Sequence, residues 1–236
     1  REQRSVHTVL RNLRKNGELF WNDLHITPVH DENGKVTHFI GILVDVTASK
    51  QRADHLEHEV NHDALTGLAN RTLMWDRLDH AVHLAQRHQT MVAAVLIDLD
   101  NFKTINDTFG HDAGDAVLKV VARRLQASVR DSDTVARMSG DEFVMVLVDQ
   151  PTLRFTLRMV ERVRKALVMP VSFNGNEIPV GASLGVAAYP VDGATAAELV
   201  RAADMAMYRA KNGGGGVHFY SAEMRSAAEA RAALAG

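Results

Sequence analysis

The sequence predicts an α+β chain in which a small strand-rich segment leads through one charged helix into a larger layer of strands mixed with helices. Three observations carry this: strand-like runs joined by Asn-Gly turns at the start, a charged helical stretch near residue 50, and alternating strand and helix patterns from there to about residue 220. In the first segment the runs Thr8 to Arg14, Leu19 to Val29 and Val36 to Asp45 are separated by Asn16-Gly17 and Asn33-Gly34, the strongest short-range hairpin signal. Three antiparallel strands with an apolar face cannot cover that face themselves, so a further segment or a partner is expected over it. From Thr47 to Val60, Ser49, Ala53, Leu56 and Val60 form a short heptad seam, either a solvated connector helix or a dimerising coil. After Asn70 a helix presents Leu73, Leu78, Val82 and Ala85 on one face, and the apolar strand Met91 to Ile97 stops at Asp98. A second amphipathic helix buries Val117, Leu118, Val121, Ala122 and Leu125. A hairpin-like pair, Thr134 to Met138 and Phe143 to Val148, turns at Ser139 to Glu142. A helix over Leu153 to Val168, a strand over Val180 to Ala188 and a helix over Ala196 to Lys211 follow.

Composition narrows the function classes. The 236 residues are 46% hydrophobic, enough for one full core and a smaller one. With 27 Lys and Arg against 29 Asp and Glu there is no basic field to hold a nucleic-acid backbone or an anionic membrane surface, so any phosphate binding must be local. The absence of cysteine excludes disulfides, thiolate metal sites and cysteine nucleophiles, and fits the cytoplasmic location we expect. No apolar run reaches membrane-spanning length. The first residue is Arg1 and no signal-peptide pattern follows, so an excerpt of a longer protein is expected.

Two acidic clusters carry the chemistry. The segment Asp98-Leu99-Asp100-Asn101-Phe102-Lys103 leaves a buried strand and enters a helix, which suits a hydrated magnesium ion and a triphosphate; an acidic loop with a capping role is the plainer alternative. The cluster Ser139-Gly140-Asp141-Glu142-Phe143 lies on a tight turn, so Asp141 can face Asp98 across neighbouring strands. Two carboxylates so placed could share two magnesium ions that activate an attacking hydroxyl and neutralise a leaving pyrophosphate. Gly140 lets backbone approach phosphate closely.

Asp98 to Asp115 (DLDNFKTINDTFGHDAGD), Arg137 to Phe143 (RMSGDEF) and His62 to Arg71 (HDALTGLANR), in that family's order and spacing, resemble the GGDEF domain of diguanylate cyclases. The match runs from about Asn61 to Tyr220 and includes Ala182 to Val186 and Ala206 to Lys211. The resemblance implies a palm-like, mostly antiparallel central sheet wrapped by helices. It implies that Asp98 and Asp141 hold Mg2+, with Mn2+ as a substitute, and that the Leu99 carbonyl adds a ligand. It places Asn106 and Asp115 on guanine, where an amide and a carboxylate can accept the ring N–H and the exocyclic amine. Lys103 and Lys211 contact phosphates as point charges, Phe102 and Gly140 complete the substrate site, and Glu142 stands beside the metals to activate or position the hydroxyl. Arg130-Asp131-Ser132-Asp133 begins nine residues before Ser139, the family's offset for an RxxD inhibitory site that binds product through Arg130 and Asp133.

Upstream, Arg11 to Thr47 resembles the C-terminal half of a PAS domain, close to the light-sensing LOV type. Asn22 matches a flavin-contacting position, but Leu43 stands where glutamine is usual and the half that carries a reactive cysteine is absent, so no flavin is expected. The expected division is 1–47 partial PAS-like sensor, 48–61 helical signalling linker, 62–220 GGDEF domain and 221–236 helical tail. That tail resembles the linker to an EAL phosphodiesterase domain.

The chain departs from the family pattern at two places. Ser139 replaces the first glycine of the signature, which would cost about 1 kcal/mol or more if the turn required a positive φ there. Gly215 stands where the family often has an arginine that helps hold phosphates, so weaker GTP binding is expected. His62 and His111 are read as structural, and Phe20, Trp21, Met205 and Met207 as core. Two functions remain open: a homodimeric cyclase that condenses two GTP into cyclic di-GMP, and a non-catalytic GTP- or cyclic di-GMP-binding module of a GGDEF-EAL tandem.

Overall fold

The computed structural model describes residues 4–221, without the side chains of residues 53–58, and divides into two compact units, Arg1–Val60 and Asn61–Gly236. In the first unit β1 (Val6–Leu13), β2 (Leu19–His30) and β3 (Val36–Asp45) form an antiparallel meander in the order β1-β2-β3. Both Asn-Gly turns form as expected, with Gly17 and Gly34 at φ of +85° and +78°. Helix α1 (Thr47–Asn61) follows directly. Its start is tied to the middle strand: the Trp21 amide donates to the Thr47 hydroxyl at 2.9 Å, and the Val46 amide donates to the Trp21 carbonyl. Thr47, through its hydroxyl and its amide, and then Arg14 hold the Asp45 carboxyl down at about 2. Of the heptad seam, Ser49 and Val60 are exposed; the side chains of Ala53 and Leu56 lie outside the described residues. The helical tail expected after Ser221 also lies outside them. On β3 the apolar residues Phe39, Ile40, Ile42 and Leu43 are all more than half exposed, as expected for a sheet that cannot cover itself.

The second unit is built on a five-stranded sheet ordered β10-β9-β4-β6-β5, from β4 (Met91–Asp100), β5 (Thr134–Ser139), β6 (Glu142–Gln150), β9 (Gly181–Tyr189) and β10 (Gly216–Phe219). All its pairings are antiparallel except β9 with β10. Alternation along the central strand divides the core. Ala93, Val95, Ile97 and Leu99 pack with Val117, Val121 and Leu125 of α4 (His111–Ser128) and Val160 and Val163 of α5 (Leu153–Leu167). Val92 and Ala94 pack on the opposite face with Leu78 and Val82 of α2 (Arg71–His88) and Leu199 and Ala203 of α6 (Ala196–Asn212). Both outer helices have side-chain caps: Asn70 accepts from the Leu73 amide, and Thr195 and Glu198 make a reciprocal capping box.

Several features differ from the sequence reading, the last strand β10 among them. The central strand continues two residues past Asp98, because Asp98, Leu99 and Asp100 keep pairing with Ser183, Ala182 and Gly181. A separate short helix, α3 (Phe102–Phe109), precedes α4, with Gly110 at φ +87° between them. A two-stranded hairpin, β7 (Val171–Phe173) and β8 (Asn176–Ile178), turns on Asn174-Gly175, both at positive φ. Met205, read as core, is 45% exposed on α6.

Gly185 lets α6 lie directly on β9. A Cβ there would fall 2.0 Å from the Ala203 carbonyl oxygen and 2.2 Å from the Met207 amide nitrogen, both backbone atoms that cannot step aside alone. Gly185→Ala is therefore expected to destabilise the second unit by roughly 3 kcal/mol. Urea unfolding checks this, and a loss below about 0.5 kcal/mol would contradict the close packing.

Candidate functional site

Strand alternation decides which side chains reach the end of the sheet. Since Ile97 and Leu99 turn into the α4–α5 core, Asp98 and Asp100 emerge on the α6 face, and Glu142 emerges there beside Phe143, which turns inward. The register sets Asp98 opposite Glu142 on one side and Ser183 on the other. Asp141, expected opposite Asp98, lies one residue further out on the β5–β6 turn, where its carbonyl accepts from the Leu99 amide at 3.3 Å. Its carboxyl is still near enough to Asp98 to feel that charge. Burial first, and then the charges of Asp98 and Glu142, push the Asp141 carboxyl above its ordinary value.

One lysine balances this crowd. Lys211 at the end of α6 places Nζ 2.8 Å from Asp98 Oδ1, and Asp98 itself is 6% exposed. The hydrogen bond to Asp98, with the charges of Asp98, Asp141 and Asp100, raises the Lys211 ammonium above its ordinary value. Asp100 accepts from the Ser183 hydroxyl at 2.7 Å and backs onto two glycines. A Cβ on Gly181 or Gly215 would lie 2.9 or 3.0 Å from Asp100 Oδ2, and Gly215 has φ +95°. The position where an arginine was looked for is thus shaped here for glycine. Beside these residues a groove of about 800 Å3 is lined by Asp98, Glu142, Tyr208, Lys211 and Asn212. The donors are hard oxygens on a buried, carboxylate-rich strand end, so the residues present fit Mg2+ or Mn2+.

Ser139 carries no strain of the kind considered from sequence. The positive φ falls on Gly140, at +48°, and Ser139 ends β5 with its hydroxyl donating to Glu142 Oε2 at 2.9 Å. Asn106 on α3 lies against Gly114 of α4, where a Cβ would sit 1.9 Å from Asn106 Oδ1; this brings Asn106 next to the residue preceding Asp115. Phe102 is half-buried at the start of α3 and Lys103 beside it is exposed. At the RxxD segment the Arg130 guanidinium lies 4.9 Å from the centre of the Phe155 ring. Asp133 is buried, with one oxygen accepting from the Arg130 amide and the other from the Val148 amide. A cavity of about 270 Å3 opens there, lined in part by Arg77, Arg130, Asp131 and Asp133.

The sequence reading quoted Asp63 and Arg137 within motifs but gave neither a role. Arg137 donates from Nε to the Gly140 carbonyl at 2.9 Å and from Nη1 to both oxygens of Asp63, at 3.1 and 3.2 Å. Asp63 also accepts from the Thr66 amide and hydroxyl. The signature turn is therefore tied through Arg137 to the loop before α2. Only the fold brings residues 74 apart in sequence together, so no local signal could have found the pair.

This sheet, with two acidic strand ends beside a helix-borne lysine, defines a palm-like nucleotidyl-transfer fold. The family model described as diguanylate cyclase, GGDEF domain, matches residues 60–216, and a PAS domain model matches residues 1–48. The chain belongs to the GGDEF diguanylate cyclase family. It is 42% identical over 170 residues to MucR of Pseudomonas aeruginosa, named a bifunctional diguanylate cyclase/cyclic di-GMP phosphodiesterase, covering 71% of this chain and 24% of MucR. It is 40% identical to the diguanylate cyclase TpbB of the same organism, over 66% of this chain and 36% of TpbB. The chain thus spans about a quarter to a third of the length of these curated relatives. Among solved structures, a sensory box/GGDEF family protein from Caulobacter crescentus is 45% identical with a TM-score of 0.61, over 65% of this chain and 99% of that one. The coiled coil and GGDEF domain of DgcB from the same organism, in complex with c-di-GMP, is 26% identical with a TM-score of 0.68, over 74% and 93%. Members of the family use divalent metal ions. Among the described residues no helix is long and apolar enough to cross a membrane.

Burial alone would raise the Asp63 carboxyl, but the bonds from Thr66 and Arg137 outweigh it and hold the group below its ordinary value of 3.8. A depressed carboxylate stabilises the fold above that value, and the contribution is lost as pH falls through the folded one. Asp63→Asn is expected to cost about 2 kcal/mol at pH 7. Urea unfolding across pH should show the gap to the wild type closing below pH 3.8; a gap constant with pH would contradict the charge pairing.

Proposed function

We propose that the second unit is a diguanylate cyclase that condenses two GTP into cyclic di-GMP with release of two pyrophosphates. One observation carries the reading: Asp98, Asp141 and Glu142 gather at one end of the sheet, with burial and mutual repulsion already raising the Asp141 carboxyl. Such a cluster gains stability from added cations. Asp98, Asp141 and the Leu99 carbonyl are the groups that would hold Mg2+, which supplies charge neutralisation at the transferring phosphate and the leaving pyrophosphate. Lys211 Nζ, now on Asp98, is placed to turn to a phosphate oxygen, and exposed Lys103 to add a second positive charge. Gly140, with no Cβ and φ +48°, lets backbone amides approach the phosphates. Asn106 and Asp115, at the α3–α4 junction, take the guanine edge, and Phe102 supports the base. Glu142 accepts or positions the 3′-hydroxyl proton, and the Ser139 hydroxyl sets its rotamer.

Each bound GTP offers one hydroxyl and one α-phosphate, and closing a ring of two requires two such sites face to face. The working enzyme is therefore a homodimer of two GTP-loaded domains, with α1 as the linker that sets their approach and the PAS-like segment as the sensor. Arg130, whose guanidinium lies over the Phe155 ring and can stack or fork onto a guanine or phosphate, is the main product-binding group of the inhibitory site. Asp133 contributes from a carboxylate that already holds its own turn. The location is taken to be the cytoplasm, where GTP is available.

Gly215 supports a second reading, in which the unit binds GTP or cyclic di-GMP and regulates a neighbouring domain. With no side chain at that position, phosphate grip falls on the remaining cations, Lys211 and Lys103 among them. Turnover by the wild type separates the two readings, and Asp141→Asn tests the site. Under the first it is expected to lower cyclic di-GMP formation from GTP and Mg2+ by at least about a thousandfold with an unchanged circular dichroism spectrum. Turnover retained within about tenfold would contradict the role of Asp141, whereas GTP binding without turnover in the wild type supports the regulatory reading. Arg130→Ala is expected to leave the initial rate unchanged and to abolish the slowing of the reaction as product accumulates; slowing equal to the wild type would contradict the inhibitory site.

A further inference from the structure

The β1–β2 sheet of the first unit carries a second group of ligating side chains, unrelated to the GTP site. His7 on β1 and His25 on β2 are directly opposed in the antiparallel register, with their rings stacked at 3.8 Å between centroids and an interplanar angle of 21°. Asp23, two residues before His25 and so on the same face, lies between them: its Oδ1 is 2.7 Å from His7 Nε2 and 3.7 Å from His25 Nε2. One donor atom from each of the three residues lies within 4.8 Å of the other two. We propose that His7, Asp23 and His25 form a binding site for a divalent transition ion of the Zn2+ class.

The distances fit such an ion. Zinc bonds of about 2.0–2.2 Å to nitrogen and oxygen in a tetrahedral site put neighbouring donor atoms roughly 3.3 Å apart. The two Asp23–His separations, 2.7 and 3.7 Å, bracket that value, and all three donor atoms lie within 4.8 Å of one another, so side-chain rotations rather than a change in strand register would seat the ion. Two imidazole nitrogens and one carboxylate oxygen select Zn2+, Co2+, Ni2+ or Cu2+ over Mg2+, in contrast to the all-oxygen donors at Asp98 and Asp141. A hydrogen bond satisfies only one histidine at a time, because Asp23 Oδ1 is close to His7 and distant from His25. A cation engages all three groups together. Both histidines are exposed, leaving the fourth coordination position to water or to an added ligand. Bound there, the ion would staple β1 to β2, the strand whose Trp21 backbone holds the first turn of α1.

The test is Co2+ titration of the 236-residue chain in excess Mg2+, which occupies the oxygen-rich site, followed by visible absorption. One equivalent with ligand-field bands is expected for the wild type. The His7→Ala/His25→Ala double variant is expected to bind at least roughly tenfold more weakly and to lose the bands. Asp23→Asn, which alters no strand pairing, is expected to weaken binding in the same direction, and circular dichroism verifies that each variant folds. Wild-type stoichiometry and affinity in the folded double variant would place the ion on other surface histidines and overturn the proposal, as would no uptake by the wild type.

Discussion

Carboxylate crowding at the end of the central sheet is the constraint on which the rest of the second unit depends. Like charges about 5 Å apart repel by roughly 3 kcal/mol at the effective dielectric of a protein site. The chain sets Asp98, Asp100, Asp141 and Glu142 around one strand end against a single lysine. Each neighbouring feature makes that arrangement tolerable. The Ser183 hydroxyl satisfies Asp100, Lys211 satisfies Asp98, Ser139 holds Glu142, and Gly181 and Gly215 leave room for the Asp100 carboxylate. The turn bearing Asp141 is in turn fixed from behind by Arg137 and Asp63. The remaining shortage of positive charge is what divalent cations held by these carboxylates would supply, so the same residues can serve both the fold and the proposed chemistry.

Much of this was legible from sequence because it is local. The helix stripe Val117, Val121 and Leu125, the apolar run Val92 to Ile97 and the Asn-Gly turns each announce their structure within a few residues. What escaped was long-range or masked by composition. The strand after Asp98 is held by pairing with residues 181–183, which no local pattern records. The last strand follows three glycines, a stretch that reads as a loop until its pairing with β9 is seen. The short hairpin at Asn174-Gly175 carries the same turn signal used at the N-terminus, but its three-residue strands are too brief for periodicity to mark. At the site, the acidic residues were found from their motifs. Their partners Lys211 and Asp98 lie 113 positions apart, and the one-residue offset that puts Glu142 opposite Asp98 depends on strand register.

The first unit makes a different demand. Its β3 leaves apolar residues exposed on both faces, the kind of surface that marks a site of contact. Curated relatives about two to three times as long as this chain, among them proteins named as cyclases, as phosphodiesterases or as both, fit a modular arrangement of domains. The bonds from Trp21 to Thr47 and Val46 make α1 a direct extension of the sheet, so a change at β2 has a covalent and hydrogen-bonded route into the helix.

The central claim is that two GTP-loaded domains must meet for chemistry to occur, and a protein-concentration series tests it most directly. The purified chain is incubated with saturating GTP and Mg2+ at several protein concentrations, and cyclic di-GMP and pyrophosphate are quantified. Below the concentration at which dimers saturate, product is expected to rise with about the square of protein concentration, with two pyrophosphates per cyclic di-GMP. A strictly linear dependence down to the lowest concentrations, or GTP bound without conversion at the highest, would contradict the account.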